Sequence, residues 1–212
     1  MSLSLNNIFG KIPKFFRLLI FFLLAIVSSQ IANKNYPKFD HHLLLVIQNQ
    51  NNPAFDFIFK RIYQVTGVSI TAIIVAITLS VFIWRRYWLE AKIFALGTLG
   101  ILILIDQILK PFFDRRRPPE PFLVKDLGWD SFPSGHAAGN FVLYFYLSYI
   151  VAAWYPKLTV YVYSCATILL MLIGLSSIYV KAHWLTDILA GYGFGYVWLL
   201  ICLNFLKRSN SK

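Results

Sequence analysis

The chain has 212 residues, of which 58% are hydrophobic and only 14% are charged, and its net charge at pH 7 is +11. Soluble domains carry about 45–50% apolar and about 25% charged residues, so this composition excludes an ordinary soluble domain and predicts a polytopic membrane protein of one domain, residues 1–212. The positive charges lie in short segments between apolar stretches, where they set topology and meet anionic lipid. This distribution argues against nucleic-acid binding.

Six apolar stretches between charged residues predict an all-α protein with six transmembrane helices, because a spanning helix needs about 20 mostly apolar residues. We expect these helices near residues 15–33, 66–86, 92–110, 136–154, 158–179 and 185–206. The basic and apolar residues of the first stretch also fit a signal peptide. No clean small-x-small cleavage pattern follows it, which favours an uncleaved anchor.

The first two spans are joined by a long segment, residues 34–66, whose apolar pattern is interrupted by His41, His42 and a run of asparagines. This pattern predicts an interfacial or re-entrant helix near the other polar residues. Two adjacent histidines cannot readily place both rings on one ion, so we expect no metal site there.

Topology follows from the lysines and arginines between the spans, and these number ten on each side of the membrane. Five of the ten on the side away from the termini belong to the polar motifs described below, where function would require them whatever the topology. We therefore expect both termini in the cytoplasm.

Lys110 and the loop that follows it form the first polar motif. Prolines stiffen this loop and can hold cations in fixed positions. Arg117, next to Pro118, offers a planar fork suited to two phosphate oxygens, and Lys110 offers a point charge. The simpler interpretation is a basic cluster that faces lipid headgroups.

Pro133-Ser134-Gly135-His136 opens the fourth predicted span and forms the second motif. Unpaired N–H groups at a helix N-terminus bind anions, Gly135 permits a close backbone approach, and the Ser134 hydroxyl adds a donor. His136 is placed to protonate a leaving alkoxide. The alternative is that Ser134 only caps the helix.

His183 and Asp187 form the third motif, at the start of the sixth span. Their spacing of four residues places them on one helix face, where Asp187 can accept the Nδ1 proton and leave Nε2 free as a nucleophile. An anchoring His–Asp pair is the alternative. Two spans separate the second motif from the third, so parity returns all three motifs to one face of the membrane.

The three motifs, in this order and with this internal spacing, resemble the type 2 phosphatidic acid phosphatase (PAP2) family. The resemblance implies a membrane phosphatase that acts on a lipid phosphate or diphosphate without metal or cofactor. By this resemblance, His183 would form a phosphohistidine, Asp187 would orient His183, and His136 would be the general acid. The residues that bind the phosphate would be Lys110, Arg117, Ser134 and Gly135.

The chain departs from the family pattern at two positions. Ser177 stands where the family has an arginine that binds phosphate, and Lys181 stands where glycine is usual. By analogy with oxyanion donors, one lost contact costs about 10²–10³ in rate. We hypothesise that Lys181, Arg115 or Arg116 fills the vacated charge.

Two other functions remain open from the sequence: a phosphotransferase that uses a lipid diphosphate donor, and a non-catalytic lipid-binding or transport protein. The expected partners are the lipid substrate and the bilayer, and the active site is expected on the face opposite the cytoplasmic termini. The sequence does not define the lipid or the oligomeric state.

Overall fold

The computed structural model describes residues 13–48, 52–119, 121–125 and 127–210. Within this part of the chain, six apolar helical stretches are long enough to cross a membrane, which confirms the six-span, all-α prediction. They are Lys14–Ala32, Pro53–Trp84, Trp88–Phe113, Gly135–Trp154, Pro156–Tyr179 and Leu185–Ser209.

We number the α-helices of the described residues in chain order. They are α1 (Lys14–Ala32), α2 (Lys38–Gln48), α3 (Pro53–Val65), α4 (Val68–Trp84), α5 (Trp88–Ile103), α6 (Lys110–Phe113), α7 (Gly135–Trp154), α8 (Thr159–Tyr179) and α9 (Leu185–Asn210). A π-helical segment, Leu104–Leu109, joins α5 to α6, and a 3-10 turn, Pro156–Leu158, precedes α8.

The connector, which is the segment that the sequence predicts between the first two spans (residues 34–66), contains two helices, α2 and α3, where one was predicted. Asn52 caps α3 by accepting a hydrogen bond of 2.9 Å from the Ala54 N–H. Thr66 ends α3 through its hydroxyl, which donates to the Ile62 carbonyl at 2.7 Å, and α4 begins after Gly67. The second apolar stretch therefore starts at Pro53 rather than near residue 66.

The third span is longer than predicted, from Trp88 to Phe113 instead of 92–110. The predicted boundary is Lys92, the charged residue at which the apolar stretch begins. In the structure Glu90 is buried, and its carbonyl accepts a hydrogen bond of 3.0 Å from the Tyr146 hydroxyl. Because Glu90 packs against α7, the N-terminus of α5 extends beyond this charged residue to Trp88.

The core lies between α5, α7 and α9, where Phe94, Tyr146 and Leu203 are fully buried. A close approach of α9 to α7 aligns the beginnings of these two helices. A Cβ added at Gly191 would lie 2.6 Å from the Ser134 carbonyl oxygen, closer than any side chain can approach. This contact places the second and third motifs side by side.

Candidate active site

Backbone hydrogen bonds hold the three polar motifs together at one end of the helix bundle. The Ser134 N–H donates to the Asp187 carbonyl at 3.0 Å, and the Ser131 N–H donates to the Arg115 carbonyl at 2.8 Å. The Trp184 indole N–H donates to the Arg116 carbonyl at 2.9 Å. The motifs thus meet on one face, as the parity of the spans predicted.

Lys110 reaches the site from the end of the π-helical segment. Its Nζ lies 2.6 Å from Oδ1 of Asp106, which stands four residues earlier in the chain. Asp106 lies beside the start of α7, because its Oδ1 is 3.4 Å from where a Cβ of Gly135 would stand. π-helical segments widen a helix and often occur at functional sites. Here the segment contains Asp106 and ends next to Lys110, and both side chains line the same cavity.

Arg117 is fixed on both sides by backbone carbonyls. Its Nε donates to the Gly128 carbonyl at 2.5 Å, and an Nη donates to the Ala182 carbonyl. The same Nη lies 3.5 Å from His183 Nε2. Burial lowers the pKa of Arg117, and Tyr63 and Asp187 oppose that shift. The guanidinium is therefore held in place next to the histidine ring.

Ser134 and His136 frame the N-terminus of α7. Ser134 is fully buried, and its hydroxyl oxygen accepts a hydrogen bond of 3.2 Å from the Ala137 N–H, as expected of a cap. The His136 ring stacks on Tyr63, with centroids 4.6 Å apart and an interplanar angle of 9°. His136 Nε2 lies 3.0 Å from Thr66 Oγ1. Since the Thr66 hydroxyl donates to Ile62, its oxygen is free to accept a hydrogen bond from the His136 Nε2–H.

His183 is 3% exposed, and its Nδ1 lies 2.9 Å from the Ser131 carbonyl oxygen. A carbonyl only accepts, so Nδ1 carries the proton and Nε2 keeps a lone pair. Asp187 Oδ2 is 3.6 Å from Nδ1, beyond hydrogen-bond range. The hydrogen-bond partner of Nδ1 is therefore the Ser131 carbonyl rather than the expected Asp187, whose carboxylate remains close to the ring.

Burial lowers the pKa of His183 to about 4, with Asp187 opposing the shift and Arg117 and Lys110 adding to it. The imidazole is therefore neutral near pH 7, which is the protonation state that a nucleophile requires.

Arg115 lies outside the cavity that contains His136 and His183, which argues against its hypothesised role as a substitute cation. Its guanidinium is 2% exposed and lies between Asp187 Oδ1 at 2.5 Å and Asp40 Oδ2 at 2.7 Å. It also donates to Thr186 Oγ1 at 2.7 Å. These buried partners hold the guanidinium, so Arg115 links α2 to the start of α9.

The other two suggested substitutes also lie away from the histidines. Arg116 and Lys181 are absent from the residues that line the cavity containing His136 and His183. Lys181 has a φ of 61° in the turn between α8 and α9, a left-handed conformation that favours glycine.

We expect Lys181→Gly to leave the turnover of a lipid phosphate unchanged, because the side chain does not line the cavity and glycine fits the left-handed backbone without strain. Steady-state rates of the purified variant in detergent would check this. A tenfold fall in kcat/KM, with unchanged thermal stability, would restore Lys181 as a substitute cation.

The cavity that contains both histidines has a volume of about 490 Å³. Its polar end is lined by Lys110, Arg117, His136 and His183. Its other end is apolar and runs between helices, lined by Val68, Ala72, Val75, Ala76, Leu79, Leu99, Leu102 and Leu143. The site thus combines a cationic pocket with an apolar channel.

Comparison with known proteins identifies the class of protein. A model of the PAP2 superfamily matches residues 91–211, which is more than half of the chain and includes all three motifs. The chain belongs to the PAP2 superfamily, and the family predicted from the motifs is confirmed.

Phosphatidylglycerophosphatase B of Bacillus subtilis (strain 168) is 30% identical to this chain over 146 residues, 66% of this chain and 70% of the relative. A Bacillus subtilis crystal structure, described as a transmembrane PAP2 type phosphatidylglycerolphosphate phosphatase, covers 91% of this chain and 96% of its own with a TM-score of 0.80 at 22% identity. The crystal structure of LpxE from Aquifex aeolicus covers 77% of this chain and 93% of its own, with a TM-score of 0.59 at 24% identity. The two structures support the fold, and the sequence relative agrees with the enzyme class that the motifs predicted.

Proposed function

We propose that this protein is a membrane lipid phosphatase that works through a phosphohistidine at His183. One observation carries the proposal: the neutral His183 ring turns Nε2 toward Arg117 while Nδ1 is held by the Ser131 carbonyl. The chemistry of these groups needs no metal, because a nitrogen nucleophile and fixed cations supply the bond formation and the charge stabilisation.

In the first step the phosphate lies between Arg117, Lys110 and the N-terminus of α7, whose first N–H groups are open to an anion. His183 Nε2 forms a bond to phosphorus while the bond from phosphorus to the lipid oxygen breaks. His136, charged as an imidazolium when the phosphate is bound, gives a proton to the leaving oxygen and becomes neutral. Positive charge that develops on His183 is stabilised by the Ser131 carbonyl and by Asp187.

In the second step a water molecule attacks the phosphohistidine and gives its proton to His136. The bond from phosphorus to Nε2 breaks, inorganic phosphate leaves, and His183 returns to its neutral form. Both histidines finish in the state in which they began. His136 therefore serves as acid and then as base, as required when the same site carries out both displacements.

The apolar channel supports a lipid substrate. A phosphate held at Arg117 would place an attached acyl or prenyl chain between α4, α5 and α7, where the cavity lining is apolar. Since the named relative is a phosphatidylglycerophosphatase, phosphatidylglycerol phosphate is the first substrate to assay, with phosphatidate and a polyprenyl diphosphate beside it. Release of inorganic phosphate from one lipid alone would separate a hydrolase from a phosphotransferase.

We expect Ala72→Trp to lower kcat/KM for a long-chain lipid phosphate while sparing a short, water-soluble phosphate ester, because Ala72 lines only the apolar part of the cavity. The matched control is Ile73→Trp, since Ile73 is 54% exposed, does not line the cavity and lies on the same turn of α4. Assays of both variants with both substrates in detergent check the channel. An equal loss for the two substrates, or for the two variants, would contradict it.

We also propose that the site faces away from the cytoplasm, as the distribution of cations implies. Trp129 is 89% exposed on the side of the site, and Lys157 lies in the turn between α7 and α8 at the opposite end. In a background with Cys165→Ser and Cys202→Ser, Trp129→Cys should react with an impermeant maleimide in intact cells and Lys157→Cys should not. The reverse pattern would invert the topology.

A further inference from the structure

Asp40 is a buried carboxylate on α2, outside the three motifs and outside the residues that the family model matches. It is 3% exposed, and the residues around it are buried to the same degree: Arg115 at 2%, Thr186 at 1% and Asp187 at 0%. Burying a charge is costly unless it is paired. A cluster of three charges beside the proposed nucleophile therefore needs a reason.

Both oxygens of Asp40 are used. Oδ2 accepts hydrogen bonds from Arg115 at 2.7 Å and from the Thr186 hydroxyl at 2.5 Å, and Oδ1 accepts from the Thr186 N–H at 3.1 Å. Arg115 in turn donates to Asp187 Oδ1, while Asp187 Oδ2 accepts from the Trp184 N–H at 2.9 Å. Asp40 is thus linked to the carboxylate nearest His183 through one shared guanidinium.

The charges of this cluster do not cancel. Arg115 supplies one positive charge against two carboxylates, which leaves one net negative charge near His183. Among the described residues, the other charged or titratable groups that line the cavity with His183 are the cations Lys110 and Arg117, together with Tyr63, His136 and Asp106, which pairs with Lys110. Both cations are needed for the phosphate, so the net charge of the cluster is what balances a positive charge that forms on His183.

We propose that Asp40 is a positioning residue for phosphoryl transfer, which keeps Arg115 from neutralising Asp187 fully and so preserves a negative charge for His183. The inference rests on the function proposed above. Without the Asp40 charge, Arg115 would pair with Asp187 alone and the cluster would become neutral. The positive charge that forms on His183 as Nε2 attacks phosphorus would then lose its counter-charge.

Asp40→Asn tests the charge, because asparagine keeps the shape and an acceptor oxygen. We expect kcat to fall about tenfold or more at pH 7, the order of effect of one unit charge across a protein interior. KM should be unchanged, since Asp40 does not line the phosphate pocket. The acid limb of the kcat profile should move to lower pH, because loss of a nearby negative charge makes His183 harder to protonate.

Thr186→Val is the matched structural control. It removes the hydroxyl that donates to Asp40 and accepts from Arg115, and so loosens the attachment of α2 without changing any charge. We expect its acid limb to coincide with that of the wild type, whatever its thermal stability. Asp40→Glu keeps the charge, so it should also retain the wild-type acid limb and have a higher kcat than Asp40→Asn. It replaces Asp40→Asn as the test variant if Asp40→Asn proves too unstable to purify.

Three outcomes overturn the inference while the wild type remains active: Asp40→Asn with wild-type kcat, equal shifts of the acid limb in Asp40→Asn and Thr186→Val, or an acid limb in Asp40→Glu displaced as far as in Asp40→Asn. A wild-type enzyme that releases no phosphate from any lipid phosphate is a different result. It refutes the proposed function itself, so the two failures are distinguishable.

Discussion

Replacement of His183 by alanine is expected to lower kcat for a lipid phosphate by at least roughly 10³-fold, because it removes the atom that bonds to phosphorus. The remaining cations would still bind the phosphate, so we expect little change in the binding of a lipid phosphate to the variant. Phosphate release from purified protein in detergent measures the first quantity, and equilibrium binding measures the second.

His42→Ala is the matched control for this experiment, because His42 is an exposed histidine on α2 that does not line the cavity. It should keep wild-type turnover. If His183→Ala retained more than about a tenth of the wild-type rate, histidine could not be the nucleophile, since loss of a covalent nucleophile costs orders of magnitude. Absence of turnover in the wild type, with normal binding in His183→Ala, would favour a lipid-binding or transport protein.

The largest expected effect on stability comes from Arg115→Met. This change leaves Asp40 and Asp187 as two buried carboxylates without their shared cation, and breaking such a pair costs about 3–5 kcal/mol. Methionine fills a similar volume, so the loss comes mainly from charge rather than from a cavity. Unfolding of the variant in detergent, followed by heat or denaturant, measures the difference.

Arg116→Met is the control for this change, since Arg116 is the next residue and its side chain is exposed. A surface substitution of this kind should alter the free energy of unfolding by no more than about 0.5 kcal/mol. Equal destabilisation by the two substitutions would show that the buried charge cluster contributes nothing special to the stability of the fold.

The three consecutive arginines show where a sequence-based interpretation reaches its limit. The sequence predicts Arg115 and Arg116 alike as substitute cations, because nothing in their neighbourhood distinguishes them. The backbone is extended here, with an isolated bridge between Arg116 and Asp130, and an extended chain turns alternate side chains to opposite sides. Arg115 and Arg117 therefore point inward and Arg116 points outward. This alternation depends on the backbone pairing of Arg116 with Asp130, which the sequence does not reveal.

The apolar spans and the parity of the motifs were predictable because both depend on local composition. Hydrophobic stretches and the charges that bound them are visible along the chain, and counting the spans places each motif on a face. The residues that support the histidines were not visible in this way. Tyr63, Thr66 and Asp40 come from the connector, and their contacts join residues 70 to 146 positions apart.

The π-helical segment at Leu104–Leu109 was missed for a related reason. An extra residue in a helix leaves no distinct mark on an apolar sequence, and the segment was predicted as a regular helix up to Lys110. The only signal was the polar pair Asp106 and Lys110 inside an apolar stretch, since ionisable residues at membrane depth point to function. That signal identified the residues but not the change in helix geometry.

The proposed mechanism depends most directly on a covalent bond between His183 Nε2 and phosphorus. Purified enzyme should be mixed with a lipid phosphate that carries labelled phosphorus, quenched rapidly in alkali, and digested for peptide mapping. We predict alkali-stable, acid-labile label on His183 in the wild type, formed in the presence of a chelator and absent from His183→Ala. Label on another residue, or release of inorganic phosphate by wild-type enzyme with no labelled histidine at any quench time, would contradict the account.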